Sequence, residues 1–207
     1  SLLGGYPMGA KLINEEVLSE RLDTENAEKM LHSCVNAGPA FIVSAVGAGV
    51  LNSQKIGYVL LVSHILASLV ICLISSPIRQ NKTEKREYIS PIDNFVVSAA
   101  ESAKAVISIC GFVILFSVLT GYLEYYGNRF PILIPLIYLT EITVAVTKTR
   151  NIVLISFLLG FSGFCIWAQV LSVGKDIKIN IMKFAFFRLV HGTLSAVFTY
   201  ITLKIIP

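Results

Sequence analysis

The sequence predicts an all-α, polytopic membrane protein with about five transmembrane helices and one re-entrant hairpin. Of its 207 residues, 55% are hydrophobic and 14% are charged, whereas a soluble domain carries about 25% charged residues. The apolar residues also fall in blocks of about 20, the length that an α-helix needs to cross a bilayer. Backbone polar groups in lipid must be satisfied internally, so such blocks form helices. We therefore expect a single multi-pass membrane domain over 1–207, embedded in the lipid bilayer of the cell membrane.

Four apolar blocks are long enough to span and contain few or no charges. They cover 56–75, 105–123, 151–173 and 184–206. A fifth candidate, 34–51, is shorter and rich in small residues. The chain begins without an initiator Met and shows no signal peptide, so we expect further membrane segments upstream.

The segment 131–146 is also apolar, but Pro131, Pro135 and Glu141 interrupt it. It could span the bilayer or turn back within it. The distribution of Lys and Arg fits both arrangements. Prolines and a buried acid need a site that protein lines, so we expect a re-entrant hairpin.

Two polar stretches separate the apolar blocks. Segment 11–33 is predicted to form two helices, capped by Asn14 and Thr24. We expect the first to lie along the membrane surface, with a solvated connector as the equal alternative. The basic segment 76–97 is predicted to be a cytoplasmic loop, with 174–183 on the same side.

Composition and motifs exclude several classes of function. The net charge of +4 comes from basic residues between the apolar blocks, a pattern that orients a membrane protein and indicates no nucleic-acid partner. No metalloprotease, phosphate-loop or dinucleotide motif is present, so we expect no enzyme and no cofactor. The four cysteines lie in apolar segments without a CxxC pair and are interpreted as small buried residues, not as metal ligands. They are Cys34, Cys72, Cys110 and Cys165.

Glu141 is the acid that lies deepest within an apolar block. A charge at the bilayer centre costs at least about 2.5 kcal/mol, so the carboxyl group must be neutral or held by a cation or by donors. Thr140 and Thr143 supply hydroxyl groups beside it. We expect Glu141 to bind a polar ligand or a coupling ion; the alternative is a structural pair with Arg129 or Lys148.

Other polar groups in the apolar blocks are weaker candidates. Glycines flank Tyr6 and Pro7 in Gly5-Tyr6-Pro7-Met8-Gly9, and they allow a tight turn or a close approach of a ligand. Gln169 is predicted to join two helices by hydrogen bonds. Ser162 and His191 raise the hypothesis of an intramembrane serine protease, but further His and Asn elements of such proteases are missing. Arg188, one turn before His191, is expected to meet headgroups or another helix end.

The two halves of the chain share a pattern. In each half, a broken segment precedes a helix rich in small residues, and a plain spanning helix follows. The breaks fall at Asn36-Ala37-Gly38-Pro39 and at Gly160-Phe161-Ser162-Gly163. Paired interrupted segments at matching positions indicate an inverted-repeat transporter with its site at the repeat interface.

Five motifs follow one another in a familiar order. They are Gly5-Tyr6-Pro7-Met8-Gly9-Ala10-Lys11, Asn36-Ala37-Gly38-Pro39, Leu139-Thr140-Glu141-Ile142-Thr143, Gly160-Phe161-Ser162-Gly163 with Gln169, and Arg188-Leu189-Val190-His191-Gly192. With these motifs the chain resembles the YlbJ family of sporulation integral membrane proteins, which carry a nucleoside-recognition, or Gate, domain. It departs from that family at Trp167, where a His is usual.

The resemblance implies a role in sporulation and a fold similar to concentrative nucleoside transporters, in which two repeats enclose a midplane site. It implies a small polar solute or a coupling ion as ligand. A non-transporting scaffold for spore-envelope assembly is the main alternative, and the intramembrane protease is the third. No oligomeric state is predicted. The expected ligand-binding residues are Gly5, Tyr6, Pro7, Gly9, Asn36, Gly38, Pro39, Thr140, Glu141, Thr143, Ser162 and Gln169.

Overall fold

The computed structural model describes residues 4–75, 91–127 and 129–205, and this part of the chain is helical and contains no strand. Nine α-helices occur in the described residues: α1 Met8–Leu18, α2 Thr24–Cys34, α3 Gln54–Ile74, α4 Pro91–Gly127, α5 Ile134–Thr140, α6 Ile142–Thr147, α7 Ile152–Phe161, α8 Gly163–Val173 and α9 Ile181–Ile205. A π-helix covers Ala40–Val50, and a single 3-10 turn covers Pro131–Leu133. The predicted all-α fold is confirmed.

Within the described residues, four helical segments are long and apolar enough to cross a membrane. They are Gln54–Ile74, Ser102–Gly127, Ile152–Val173 and Ile181–Ile205. These match the four blocks expected from the sequence. The third consists of α7 and α8, which meet at Ser162 in the left-handed conformation, at φ +70°.

The fifth candidate, 34–51, is not one continuous helix. Helix α2 ends at Cys34, the first residue of this segment. Residues 35–38 are not helical, and the π-helix that follows has 11 residues. Ala37 contacts His64 in the middle of α3, and Gly47 packs against Gly57 near its beginning. Helix α2 and the π-helix therefore run together along α3 as a single broken element.

Helices α1 and α2 pack into the bundle, which differs from the expected position on the membrane surface. Ala10 of α1 and Ala27 of α2 are fully buried. The N-terminal end of α1 lies at mid-bundle, where the Tyr6 hydroxyl donates to the carbonyl of Leu159. Further along α1, Asn14 Nδ2 donates to Asp176 in the loop between α8 and α9, at 3.0 Å. Helix α1 therefore runs from the middle of the bundle to one end of it.

Neither expected cap is correct. Asn14 lies inside α1, where it is free to bind the loop before α9. Helix α2 is capped by Asp23, one residue before Thr24, because the Asp23 carboxylate accepts hydrogen bonds from the N–H groups of Glu25 and Asn26 at 3.1 and 2.9 Å.

The bundle has two ends, which we name after a residue at each. At the Asp176 end, Glu28 of α2 accepts a 2.8 Å hydrogen bond from the N–H of Asn180. Ser75, after α3, and Lys183, in α9, line one cavity there, so α3 ends where α9 begins. Most of the predicted basic loop 76–97 lies outside the described residues. Its last part, from Pro91 onward, is not a loop but the beginning of α4.

The segment 131–146 folds back on itself. Helices α5 and α6 meet at Glu141, whose backbone is extended at φ −140° and ψ 121°. The Lys148 ammonium lies 3.0 Å from the carboxylate of Glu124, which precedes the segment, and Tyr138 donates to the Lys148 carbonyl at 3.5 Å. The segment therefore starts and finishes at the same end of the bundle, the Lys148 end, as a re-entrant hairpin does.

These elements form two inverted repeats. The first consists of the turn at Tyr6-Pro7, α1, α2, the first break (35–38), the π-helix and α3. The second consists of the turn at Glu141, α6, α7, the second break (Ser162-Gly163), α8 and α9. Helix α1 runs from its turn toward the Asp176 end, and α6 runs from its turn toward the Lys148 end. The two repeats therefore have opposite directions, as the paired motifs predict.

Candidate functional site

The two turns and the first break meet at one cavity of about 320 Å³, which we call the central cavity. It lies at mid-bundle, between the two repeats and against α4. Six of the expected ligand-binding residues line it: Gly5, Tyr6, Gly38, Glu141, Thr143 and Gln169. Segments more than 130 residues apart in the sequence are thus brought together.

Glu141 is 1% exposed and supplies the acidic group of the cavity. Its Oε2 accepts hydrogen bonds from the Thr143 hydroxyl and, at 2.8 Å, from the N–H of Val144. The carboxylate therefore caps α6, and donors hold it as expected. The alternative pair with Lys148 is not formed, because that ammonium lies beside Glu124.

Gln169 is the second polar side chain of the cavity and is 1% exposed. Its Nε2 lies 3.4 Å from the sulfur of Cys165, one turn earlier on the same helix. Its Oε1 has no hydrogen-bond partner among the described residues. The expected hydrogen bond from Gln169 to a second helix is therefore not formed, and Gln169 leaves a buried acceptor oxygen without a partner next to the cavity.

Glycines let each turn approach its own break closely. Gly5 has φ +69°, and a Cβ atom there would lie 3.0 Å from the backbone nitrogen of Gly38. Gly163 has φ +75°, and its Cβ would lie 3.3 Å from the carbonyl oxygen of Leu139. Side chains at Gly5 and Gly163 would strain the backbone and separate the segments that shape the cavity.

Other expected ligand-binding residues lie beside the cavity and hold backbone. Asn36 Nδ2 donates to the Ser33 carbonyl at 2.7 Å, and the Thr140 hydroxyl donates to the Leu136 carbonyl at 2.6 Å. The Ser162 hydroxyl donates to the carbonyl of the preceding residue at 2.6 Å. The carbonyls of Ser33 and Phe161 lie in the last turns of α2 and α7 and have no partner within those helices, so Asn36 and Ser162 satisfy them.

The remaining three expected residues shape the helices. Gly9 is buried in α1, and Pro39 directly precedes the π-helix as its N-cap. Pro7 precedes α1 and lines a smaller neighbouring cavity.

Sequence reasoning missed the polar cluster around the first break. Arg188 is fully buried and donates to the carbonyls of His32 and Val35, at the end of α2. Of the two contacts expected for Arg188, headgroups or another helix end, the structure shows the second. His64 Nε2 accepts a 3.1 Å hydrogen bond from the N–H of Ala37. Histidine and arginine within spanning segments are the signal that could have found the cluster.

The geometry does not support a protease. The Ser162 hydroxyl is directed to its neighbouring carbonyl, whereas His191 Nε2 lies 3.2 Å from the carbonyl oxygen of His64. A nucleophile and its base need a hydrogen bond to each other. No such bond joins these two side chains.

The expectation that the four cysteines are buried holds only in part. Cys165 is buried, Cys34 is half-buried, and Cys72 and Cys110 are exposed on the apolar faces of α3 and α4. No cluster of three potential metal ligands occurs among the described residues.

One curated relative is found. The chain is similar to the sporulation integral membrane protein YlbJ of Bacillus subtilis (strain 168). The two are 25% identical over an alignment 256 positions long, gaps included, which covers 98% of this chain and 62% of YlbJ. The chain thus spans less than two thirds of its relative's length. The resemblance inferred from the five motifs is confirmed.

The other two comparisons find nothing. No family model matches the chain, and no solved structure matches it.

Trp167 lies in the region where the resemblance leads us to expect a His. Its Nε1 donates to the Phe161 carbonyl at 3.0 Å, and its ring packs against Phe184 of α9. Phe161 ends α7, so the indole N–H satisfies a carbonyl group at the second break. An imidazole N–H could serve the same structural purpose.

Proposed function

We propose that this chain belongs to a membrane protein that serves spore formation and moves a small polar solute through the central cavity. The sporulation role rests on the similarity to YlbJ, whose name states that role. The solute role rests on the cavity itself.

The observation that carries the solute role is that Glu141 and Gln169, two buried polar side chains, line the same cavity. Both side chains carry acceptor oxygens, and the Gln169 Oε1 has no partner among the described residues. Phe41 and Ile109 supply apolar walls. A volume of about 320 Å³ is near the lower limit for small-molecule sites. The solute we propose is therefore a small molecule with hydrogen-bond donors, such as an amine or a hydroxylated compound, and an apolar part.

Transport, rather than storage, is supported by the architecture. Inverted repeats with broken helices at mid-depth are typical of secondary transporters, which rock one repeat against the other around a central site. The two breaks lie beside the cavity, and the two turns enter it from opposite ends of the bundle. We propose no catalytic step for the chain.

The test is complementation of a deletion strain. Deletion should block the formation of heat-resistant spores while vegetative growth stays normal. Wild-type protein and Glu124→Gln should restore spore yield, and Glu141→Gln should not. Glu124 is the matched control because it is a glutamate whose partner is Lys148 and which lies outside the central cavity. Both variants should reach normal abundance.

The expected size of the Glu141→Gln effect can be stated for solute binding. A hydrogen bond to a charged group contributes about 1.5–3 kcal/mol, so Glu141→Gln should weaken solute binding about ten- to hundredfold. Full restoration of sporulation by Glu141→Gln would favour the scaffold, which needs the fold but not the carboxylate. Normal spores from the deletion strain would refute the sporulation role.

A further inference from the structure

A second cavity of about 180 Å³ adjoins the central cavity, and we call it the Lys11 cavity. It lies between the start of α1, the middle of α4 and the last two turns of α8. Four residues line both cavities, so the two are continuous: Gly4, Tyr6, Ile109 and Gln169. Lys11 ends the first of the five sequence motifs, and it lines the Lys11 cavity but not the central one.

The Lys11 cavity extends from the central cavity toward the Asp176 end. On α8 it runs from Gln169 to Val173, the last residue before the loop that contains Asp176. On α4 it reaches Ala105, one turn before Ile109. Helix α4 finishes at the Lys148 end, so its earlier turns lie nearer the Asp176 end. Both walls therefore lead in the same direction.

The cavity found at the Lys148 end does not adjoin the central cavity. It has a volume of about 240 Å³, Glu124 and Lys148 are among its lining residues, and it shares none of them with the central cavity. On α4, Thr120 lies between Val113 of the central cavity and Glu124, and Thr120 is buried. The central cavity is therefore continuous with the cavity on its Asp176 side and separate from the one at the Lys148 end.

Polar groups occur at successive levels along the Lys11 cavity. Gln169 has its unpartnered acceptor oxygen at the level where the two cavities meet. The Lys11 side chain is 21% exposed, and its ammonium lies 3.8 Å from the carboxylate of Glu15, one turn nearer the Asp176 end. The Glu15 side chain is half-exposed. Polar and charged lining groups let water enter a passage and decide which charges pass through it.

We infer that in this conformation a solute reaches the central cavity from the Asp176 end through the Lys11 cavity, and that Lys11 selects against cations on this route. The inference rests on the proposed solute role and narrows it. A cation meets the Lys11 ammonium before it reaches Glu141, and like charges repel. The Glu15 carboxylate offsets this repulsion only in part, because it lies nearer to solvent. Lys11 therefore favours the neutral hydroxylated compound over the protonated amine.

Reaction of an engineered cysteine with charged thiosulfonate reagents tests the route. In a background without the four native cysteines, Val113→Cys places a thiol in the central cavity but outside the Lys11 cavity. Lys175→Cys marks the Asp176 end, and Lys148→Cys marks the Lys148 end. Reagent added from the side that labels Lys175→Cys should react with Val113→Cys at least about tenfold faster than reagent from the other side, because an ion does not cross an apolar barrier. Leu115→Cys, on the exposed face of α4, should react from neither side.

A blocking variant makes the route specific. Ala105→Trp places an indole in the Lys11 cavity and should slow the reaction of Val113→Cys by the same factor. Ala103→Trp is the matched control, because Ala103 is exposed on α4 and lines neither cavity. It should leave the rate unchanged. Equal effects of the two substitutions, or a Val113→Cys thiol that reacts faster from the Lys148 end or from neither side, would overturn the route.

Two reagents of similar size, one with a sulfonate group and one with a trimethylammonium group, test the charge selectivity. Their rates at Val113→Cys are divided by their rates at Lys175→Cys, which removes the difference in intrinsic reactivity. Lys11→Gln should lower the anion-to-cation rate ratio about fivefold, because it removes one charge from a narrow, wet passage. Lys29→Gln is the control, because it removes a cation that lines a different cavity at the same end, and the ratio should not change.

A ratio that Lys11→Gln leaves unchanged, or that Lys29→Gln lowers equally, would refute the selectivity. The reagents report access and charge, not transport. A failure of the route therefore leaves the spore yields of Glu141→Gln as they are, and a failure of the solute role leaves these reaction rates as they are.

Discussion

At the residue scale, each repeat supplies a donor that satisfies the broken helix of the other repeat. Arg188 of the second repeat donates to two carbonyls at the end of α2. Tyr6 of the first repeat donates to the Leu159 carbonyl, in the last turn of α7. The last carbonyls of a helix have no partner within it, and in lipid no water replaces one. These two side chains therefore lower the free-energy cost of interrupting both spans, and they also hold the two repeats together.

Arg188→Lys should lower the stability of the fold. Lysine keeps the charge but lacks the planar fork that reaches two carbonyls at once, so one buried carbonyl loses its donor. The expected loss is about 1–3 kcal/mol, measured by thermal unfolding of the purified protein. Arg150→Lys is the control. Arg150 is exposed, and its replacement should change stability by no more than about 0.5 kcal/mol. Equal effects of the two substitutions would contradict the role of Arg188.

At the scale of elements, close glycine contacts bring the broken spans against the plain ones. A Cβ atom on Gly160 of α7 would lie 2.6 Å from the Cα of Gly192 in α9. A Cβ on Gly47 of the π-helix would lie 2.6 Å from the Cα of Gly57 in α3. The same device thus occurs once in each repeat, and small residues at such crossings are typical of helix packing in membranes.

Gly160→Ala should separate α7 from α9. The added methyl group meets backbone atoms, which cannot rotate away, and overpacking of this kind costs about 1–3 kcal/mol. Gly111→Ala in α4 is the matched control, because a Cβ atom there meets nothing within 4 Å. Alanine is the better helix former, so this control should leave the unfolding temperature unchanged or raise it. A Gly160→Ala protein as stable as the control would exclude a tight crossing.

The sequence predicted the spans and the breaks, but not how the polar helices pack. Length and apolarity identify α3 and α9, and Gly38-Pro39 marks the first break, because these signals are local. Segment 11–33 is polar enough to lie on a surface, yet its one alanine, Ala27, is buried and Asn14 binds Asp176, 162 residues away. The π-helix has no sequence signature of its own, since its small apolar residues fit an α-helix equally well.

The residues of the candidate site that could be predicted are those whose type is rare within apolar segments. Glu141 and Gln169 stand out because polar groups are costly within apolar segments. Arg188 and His64 were missed as partners of the first break because what they bind is backbone. Arg188 lies 153 residues from Val35, and His64 lies 27 residues from Ala37. Those backbone groups need partners only because the helix is interrupted there, and a sequence shows the interruption but not its partners.

At the scale of the whole molecule, the two inverted repeats place their turns at one depth and their loops at opposite ends. The Asp176 end holds the loop before α9 and the end of α3, from which the basic segment 76–97 departs. We therefore expect the Asp176 end to face the cytoplasm. The Lys148 end holds both ends of the hairpin 131–146, and we expect it to face the other side.

Cysteine labelling of intact cells tests this topology together with the hairpin. In a background without the four native cysteines, Arg129→Cys and Lys148→Cys flank the hairpin, and both side chains are exposed. A membrane-impermeant maleimide added outside should label both of these positions and should not label Lys175→Cys, at the Asp176 end. In inverted vesicles the pattern should reverse. If 131–146 crossed the membrane, the reagent would reach only one of Arg129→Cys and Lys148→Cys from a given side, and the two repeats could not be inverted copies.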